Sequence, residues 1–170
     1  TPRVRFALHH FLGAEISDLN EELLRLFMLG AVTRIFQPGY KFDMMLCLTG
    51  RQGAGKSSFF RFLAGNDEWF SDDLRKLDDE NVYRRMMGHW IIEMSEMMAT
   101  GNAKNVEEIK SFLSRQKDTC KVPYDNFPAD RPRQCAFAGT SNKLDFLPHD
   151  RQQESAFPAN PHQPGEGRGA

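Results

Sequence analysis

The sequence has little cysteine and no long hydrophobic run. Its three cysteines, at positions 47, 120 and 135, form no Cys-x-x-Cys pair. An odd, sparse set of this kind argues against a disulfide framework and is typical of a protein from a reducing cytoplasm. No apolar run approaches the roughly 18 residues of a membrane-spanning helix, and the first ten residues lack the apolar core of a signal peptide. We therefore expect a cytoplasmic protein with no membrane segment.

An excess of charge of either sign is also missing. The net charge is −1 over 170 residues, so any binding to nucleic acid needs a local basic patch rather than a generally basic chain. Hydrophobic residues make up 40% of the sequence and charged residues 26%, which is the balance of a soluble globular domain with a core.

Short apolar runs alternate with segments of helical periodicity. Three runs, at Phe42–Thr49, His89–Ile92 and Gln134–Thr140, predict strands that are buried on both faces, as in a parallel sheet. Helices are predicted from a capping box at Asp18-x-x-Glu21 to Ile35, and at residues 57–63, 79–87 and 106–113. Loops are predicted at residues 66–73 and 123–132. The alternation predicts an α/β fold with a mainly parallel sheet flanked by helices.

The chain divides into three parts by composition. Residues 1–16 show no clear pattern and are interpreted as an N-terminal lead-in. The predicted strands and helices occupy residues 17–148, which we expect to form the folded domain. Residues 149–170 contain three prolines, three glycines and almost no apolar periodicity, so we expect this tail to be disordered.

A glycine-rich segment between the first predicted strand and the following helix matches the P-loop pattern G-x-x-x-x-G-K-[ST] in full. The glycines let backbone N–H groups turn toward phosphate oxygens, and the helix presents its positive N-terminal end to the same anion. Lys56 would reach the β- and γ-phosphates, and the Ser57 hydroxyl would bind Mg²⁺. The residues predicted to bind ATP are Gly50, Arg51, Gln52, Gly53, Ala54, Gly55, Lys56, Ser57 and Ser58.

Polar side chains follow the second and third predicted strands. Glu93 ends the second strand, where a P-loop ATPase carries a carboxylate that helps to hold Mg²⁺, and Glu96 lies three residues further on. Asn142 follows the third strand, where a polar side chain could contact the γ-phosphate or the attacking water. Ordinary surface acids at a helix start and ordinary turn chemistry are the alternatives for these positions.

A basic group lies between the predicted acids and Asn142. Its members are Lys110, Arg115, Lys117 and Lys121, interleaved with Phe112. Cations beside aromatic rings are typical of contacts with single-stranded nucleic acid, but they are equally typical of a solvated helix face. The sequence alone leaves both interpretations open.

Several ordered blocks resemble the virulence-associated protein E family. They are the P-loop with residues 58–61, and residues 36–43, 69–72, 88–96, 109–115 and 132–142. The resemblance covers roughly residues 20–148. It implies a superfamily 3, AAA+-type helicase ATPase of phages and other mobile elements, which uses ATP and Mg²⁺ in DNA replication. It also implies single-stranded DNA and a primase as partners, and a homo-oligomeric ring.

The resemblance assigns a role to each candidate residue. Lys56 and Ser57 become the Walker A pair, and Glu93 and Glu96 the Walker B-type acids. Asn142 becomes the polar sensor. The segment from Lys110 to Lys121 gains weight as a DNA contact, because superfamily 3 proteins carry an additional motif between acid and sensor.

The sequence departs from the family pattern after Pro148. An arginine-containing block is expected there, but Arg151–Ser155 reads differently and leads into the proline- and glycine-rich tail. We interpret the tail as an out-of-frame reading of that block, which would remove arginines and the last strand of the sheet. We expect such a truncated chain to bind ATP and to hydrolyse it slowly. The alternatives are a nucleotide-binding remnant or interaction module, and a small-molecule P-loop kinase.

Overall fold

The computed structural model describes residues 2–74, 77, 82–95, 103–120 and 129–142. Its helices are α1 (Pro2–Leu12), α2 (Asp18–Phe36), α3 (Lys56–Ala64), α4 (Val82–Met86) and α5 (Ala103–Leu113). Its strands are β1 (Met45–Thr49), β2 (Phe70–Ser71), β3 (Ile91–Ser95), β4 (Lys117–Cys120), β5 (Ala129–Pro132) and β6 (Ala136–Ser141). A short 3₁₀ turn, Asp67–Trp69, precedes β2.

A parallel sheet forms the centre of the fold. Its strand order is β1-β6-β3-β2, and all three neighbouring pairs are parallel. At the end of β6, Ser141 lies opposite Thr49 of β1. Its neighbour Thr140 lies opposite Ser95 of β3. The carboxyl ends of these three strands therefore meet at one edge of the sheet. The predicted α/β fold with a mainly parallel sheet flanked by helices is confirmed.

Helices cover both faces of the sheet. Alternate residues of β3 contribute to different apolar clusters, as Ile91 packs with side chains of α2 and α3 whereas Ile92 packs with α4 and α5. Every residue of β6 is buried. This burial on both faces explains why the predicted strands read as continuous apolar runs rather than as alternating patterns.

The start of α2 differs from the prediction by one residue. Ser17, not Asp18, is the N-cap: its backbone is extended and its side-chain oxygen accepts a hydrogen bond from Asn20 N at 3.2 Å. The capping box predicted at Asp18 is therefore wrong. Glu21 instead forms an ion pair with Arg5 of α1 at 3.3 Å, which links the first two helices.

Four elements, α1, β2, β4 and β5, escaped the sequence analysis. Helix α1 lies within the patternless residues 1–16 and packs on α2 and α3 through buried Leu8. Strand β2 lies in the predicted loop 66–73, and β5 in the predicted loop 123–132. Strands β4 and β5 form an antiparallel pair. Their facing side chains make an ion pair and a hydroxyl–carboxylate hydrogen bond instead of apolar contacts, so the sequence shows no apolar pattern typical of a strand.

Part of the chain lies outside the described residues. This part includes the whole predicted disordered tail, the positions Glu96 and Lys121, and residues 79–81 of the helix predicted at 79–87. Within the described ranges, no helix is both long and apolar enough to cross a membrane.

Candidate functional site

The loop between β1 and α3 carries the glycine-rich motif. Gly53 and Gly55 have a φ of 80°, a left-handed conformation that side chains disfavour, and Gly55 directly precedes the first residue of α3. Gly50 N donates a hydrogen bond to Ser141 O at 3.2 Å, which ties the start of the loop to the end of β6. The predicted context of a strand before the motif and a helix after it is confirmed.

Lys56, the first residue of α3, is buried, and its ammonium group has three acceptors within the protein. Nζ donates to Gly50 O and Arg51 O, each at 2.8 Å, and to Asn142 Oδ1 at 3.0 Å. The loop lysine and the expected sensor residue, predicted from separate motifs, are thus in direct contact. An ammonium group has three protons, so every one of them is used inside the protein.

Glu93 lies beside the same loop, with its carboxylate fully buried. Ser57 Oγ donates a hydrogen bond to Glu93 Oε1 at 2.8 Å, and Thr140 Oγ1 donates to the same oxygen at 2.5 Å. The other oxygen, Oε2, is buried and has no hydrogen-bond partner among the described residues. Burying an unpaired carboxylate oxygen is costly, so Oε2 is a natural position for a cation.

Two details of the acid site were not predicted. The second predicted strand was expected to end at Glu93, but β3 continues to Ser95, so the carboxylate lies in mid-strand. Thr140 was not singled out, because its role depends on the register between β3 and β6, which local spacing does not reveal. Polar residues at the end of the third predicted strand were the only available signal.

The remaining predicted residues have less defined surroundings. Arg51, Gln52, Ala54 and Ser58 are exposed around the loop. Glu96, the second predicted acid, lies outside the described residues. In the described ranges, no group of three or more His, Cys, Asp or Glu side chains could hold a metal ion. A Mg²⁺ ion at this loop would therefore rely on Ser57, Glu93 and the oxygens of a bound phosphate, a ligand set common for this ion.

The predicted basic group is only partly available to a ligand. Lys110 pairs with Glu107 at 3.1 Å on α5, and Lys117 pairs with Asp130 across β4 and β5. Arg115 is exposed and lies 5.5 Å from the centre of the Phe112 ring. Lys121 lies outside the described residues.

Arg133, which the sequence analysis did not identify, anchors the β4–β5 pair to the core. Its buried guanidinium donates to both carboxylate oxygens of Asp118, at 2.6 and 2.7 Å, and to Phe112 O at 2.5 Å. It also lies over the Phe112 ring, 4.3 Å from the ring centre. This cation connects α5, β4 and the segment before β6.

The thiols of Cys47 and Cys135 are not reactive groups. Burial raises the pKa of the Cys135 thiol to about 11 and that of the Cys47 thiol, in β1, to about 12. Both thiols therefore stay protonated at neutral pH, and a protonated thiol is a poor nucleophile and metal ligand.

Together, the fold and site define an α/β protein. At one edge of its parallel sheet, a glycine-rich loop of the kind that binds anions lies beside a buried carboxylate. The family model of the virulence-associated protein E-like domain matches residues 1–158, and the chain belongs to that family. The predicted family resemblance is confirmed, and the match extends further toward the N-terminus than the quoted sequence blocks.

Solved structures of the NrS-1 C terminal region share the fold. An apo, A form structure of residues 305–718 has a TM-score of 0.54 at 15% identity, covering 90% of this chain and 35% of that one. A second A form apo structure has a TM-score of 0.55 at 16% identity, covering 84% of this chain and 32% of that one. The chain thus spans about a third of these relatives. No curated protein matches the sequence.

Proposed function

We propose that this chain is a helicase-type P-loop ATPase domain that binds ATP and Mg²⁺ and acts on DNA in the replication of a phage or other mobile element. The observation that carries the proposal is the convergence of Lys56, Ser57, Glu93 and Asn142 at one edge of the parallel sheet. The start of α3, strand β3 and the residue after β6 supply these side chains, an arrangement that suits a nucleotide and its metal ion.

The phosphates would bind in the loop Gly50–Ser57. The N-terminal end of α3 and the backbone N–H groups of the loop attract an anion, and Lys56 adds a full positive charge. Because the Lys56 ammonium is engaged with two loop carbonyls and Asn142, a phosphate would have to replace at least one of these acceptors. We propose Asn142 as the acceptor that a phosphate replaces, because the other two acceptors are backbone carbonyls of the loop itself.

The acid site fits a divalent cation. Glu93 Oε2 is buried and has no hydrogen-bond partner within the described part of the chain, and the Ser57 hydroxyl donates a hydrogen bond to the other carboxylate oxygen, Oε1. These two residues would hold Mg²⁺ together with phosphate oxygens. When bound there, the ion would offset the negative charge of the phosphates. We propose Glu96 as the second acid, which polarises the attacking water, and Asn142 as the side chain that contacts the γ-phosphate.

The proposed DNA contact is the basic segment on α5 and the β4–β5 pair. Arg115 is the best candidate there, because it is exposed, lies against an aromatic ring and forms no ion pair with any described residue. Lys110 and Lys117 would have to exchange their acidic partners for phosphate groups. Lys121 completes the proposed set. The family resemblance further suggests a primase partner and a ring of subunits.

An ATP-turnover assay with and without single-stranded DNA tests the proposal. Lys56→Ala is the test variant, and Lys110→Ala, which removes an exposed lysine of α5, is its matched control for turnover without DNA. We expect wild-type turnover to rise with DNA and Lys56→Ala to abolish it. ATP binding without turnover would favour a nucleotide-binding remnant. Turnover that ignores DNA but rises with a small-molecule acceptor would favour a kinase.

A further inference from the structure

Thr140 is held rigidly beside the acid of the proposed ATP site. It lies in β6, where its backbone is in register with Leu48 of β1 on one side and Ser95 of β3 on the other. Its side chain is buried, with 7% of the residue exposed, and its hydroxyl donates to Glu93 Oε1 at 2.5 Å. Strand pairing on both sides fixes the backbone of Thr140, and burial together with the hydrogen bond to Glu93 holds its hydroxyl in place.

The two hydroxyl donors to Glu93 differ in their surroundings. Ser57 is an exposed residue at the start of α3, directly after the loop, so a cation at the loop can reach it. Thr140 is enclosed by the sheet and has no such access. Both donors bind Oε1, which leaves the buried Oε2 as the oxygen without a partner in the described ranges.

We propose that Thr140 is a positioning residue that sets the orientation of the Glu93 carboxylate for a divalent cation. Hydrogen bonds to a charged acceptor are stronger than those between neutral groups, so one fixed hydroxyl can select a single carboxylate orientation. Thr140 then determines how tightly the nucleotide-bound cation is held. It has little effect on the phosphates themselves, which are bound by the loop. This inference rests on the proposed nucleotide-binding function.

A purely structural role for Thr140 predicts something different. If the hydroxyl only satisfies a buried carboxylate, its loss lowers the stability of the fold without a selective change in cation affinity. Thr140→Val keeps the shape and removes the donor, whereas Thr140→Ser keeps the donor. Thr119→Val is the matched control, because Thr119 also donates to a carboxylate, Asp130 Oδ1 at 2.7 Å, but lies on the β4–β5 pair.

The test measures two affinities separately. A fluorescent ADP analogue is titrated in the presence of a chelator, and Mn²⁺ binding to the ADP complex is followed by electron paramagnetic resonance. We expect Thr140→Val to weaken Mn²⁺ binding about tenfold, because one charge-assisted hydrogen bond to Glu93 is lost. The affinity for ADP measured in the presence of the chelator should not change. Thr140→Ser should restore Mn²⁺ binding, and Thr119→Val should match the wild type.

Each other outcome has a defined meaning. Unchanged Mn²⁺ affinity in Thr140→Val, or an equal loss of ADP affinity in chelator, overturns the positioning role. If Thr140→Val does not fold, Thr140→Ala removes the same donor without placing a methyl group beside the carboxylate, and it is read by the same criteria. If the wild-type chain itself binds no ADP under either condition, the proposed function fails, which is distinct from a failure confined to Thr140.

Discussion

Lys56 Nζ donates a hydrogen bond to Asn142 Oδ1 at 3.0 Å, across 86 positions of the sequence. The contact exists because β1 and β6 are parallel neighbours in register, so the loop after one strand and the residue after the other meet at the same edge. Under the proposed function, Asn142 competes with a bound phosphate for this lysine. This competition makes the site testable at a single side chain.

Asn142→Ala should raise the affinity for ADP. The substitution removes one acceptor from the Lys56 ammonium, and a net hydrogen-bond contribution of about 1 kcal/mol corresponds to roughly a fivefold gain. ATP turnover should fall in the same variant, since the proposed γ-phosphate contact is lost. Isothermal titration and a turnover assay measure the two effects. Lower ADP affinity in Asn142→Ala would contradict the competition.

Asn142→Asp should have the opposite effect on ADP affinity. A carboxylate at this position would pair with the Lys56 ammonium and repel the phosphates. The same titration applies, with Asn66→Asp as a control that adds a charge at the N-cap of the 3₁₀ turn before β2. An Asn142→Asp variant that binds ADP as tightly as Asn142→Ala would show that Lys56 is not the shared partner.

Gly30→Ala should destabilise the fold although alanine favours helices. A Cβ atom at this position in α2 would lie 2.1 Å from Phe42 Cε2, and Phe42 is a core residue. The helix-propensity gain is about 1 kcal/mol, whereas overpacking typically costs about 1–3 kcal/mol, so a net loss is expected. Denaturant unfolding measures the free energy of unfolding.

A double-mutant cycle isolates the cause of that loss. In a Phe42→Leu background the side chain facing Gly30 is smaller, so Gly30→Ala should cost less there than in the wild type. An equal cost in both backgrounds would mean that the contact with Phe42 is not responsible.

Asp118→Ala should be among the more damaging single changes in the described fold. It would leave the Arg133 guanidinium, whose side chain is 1% exposed, without its carboxylate partner, and such a loss typically costs about 3–5 kcal/mol. Lys117→Ala breaks an exposed pair with Asp130 and should cost at most about 1 kcal/mol. Urea unfolding of the two variants compares them, and equal losses would count against the buried anchor.

Alkaline pH should weaken the fold through Cys135. Burial raises the pKa of this thiol from 9.0 to about 11. A pKa raised in the folded state gives a stability contribution that is complete below pH 9 and is lost as pH rises through 11. The free energy of unfolding should therefore fall by up to about 1.4 kcal/mol per pH unit from this group between pH 9 and 11. Cys135→Ala should show a shallower decline under reducing conditions, and identical slopes would refute the effect.

The sequence was most informative where a local pattern determines the structure. Continuous apolar runs located β1, β3 and β6 to within a few residues because both faces of these strands are buried. The glycine-rich motif located the loop, since left-handed positions at Gly53 and Gly55 require glycine. These features also predicted that Lys56 and Asn142 would both reach the γ-phosphate, and the two side chains are in direct contact.

Features that depend on tertiary contacts were not predictable. Thr140 reaches Glu93 only because of the register between β3 and β6. Arg133 pairs with a carboxylate fifteen positions away in the sequence. Strands β4 and β5 carry cross-strand pairs of charged and hydroxyl groups, such as Thr119 with Asp130, that resemble a loop in composition. None of these partners can be identified from local spacing.

Equilibrium binding of Mg²⁺·ATP, measured by isothermal titration calorimetry, tests the central claim most directly. The wild-type chain should bind one nucleotide per subunit, Lys56→Ala should bind at least tenfold more weakly, and Lys110→Ala should match the wild type. Absence of binding by the wild-type chain, or equal binding by Lys56→Ala, would contradict the assignment of the Gly50–Ser57 loop as a nucleotide site.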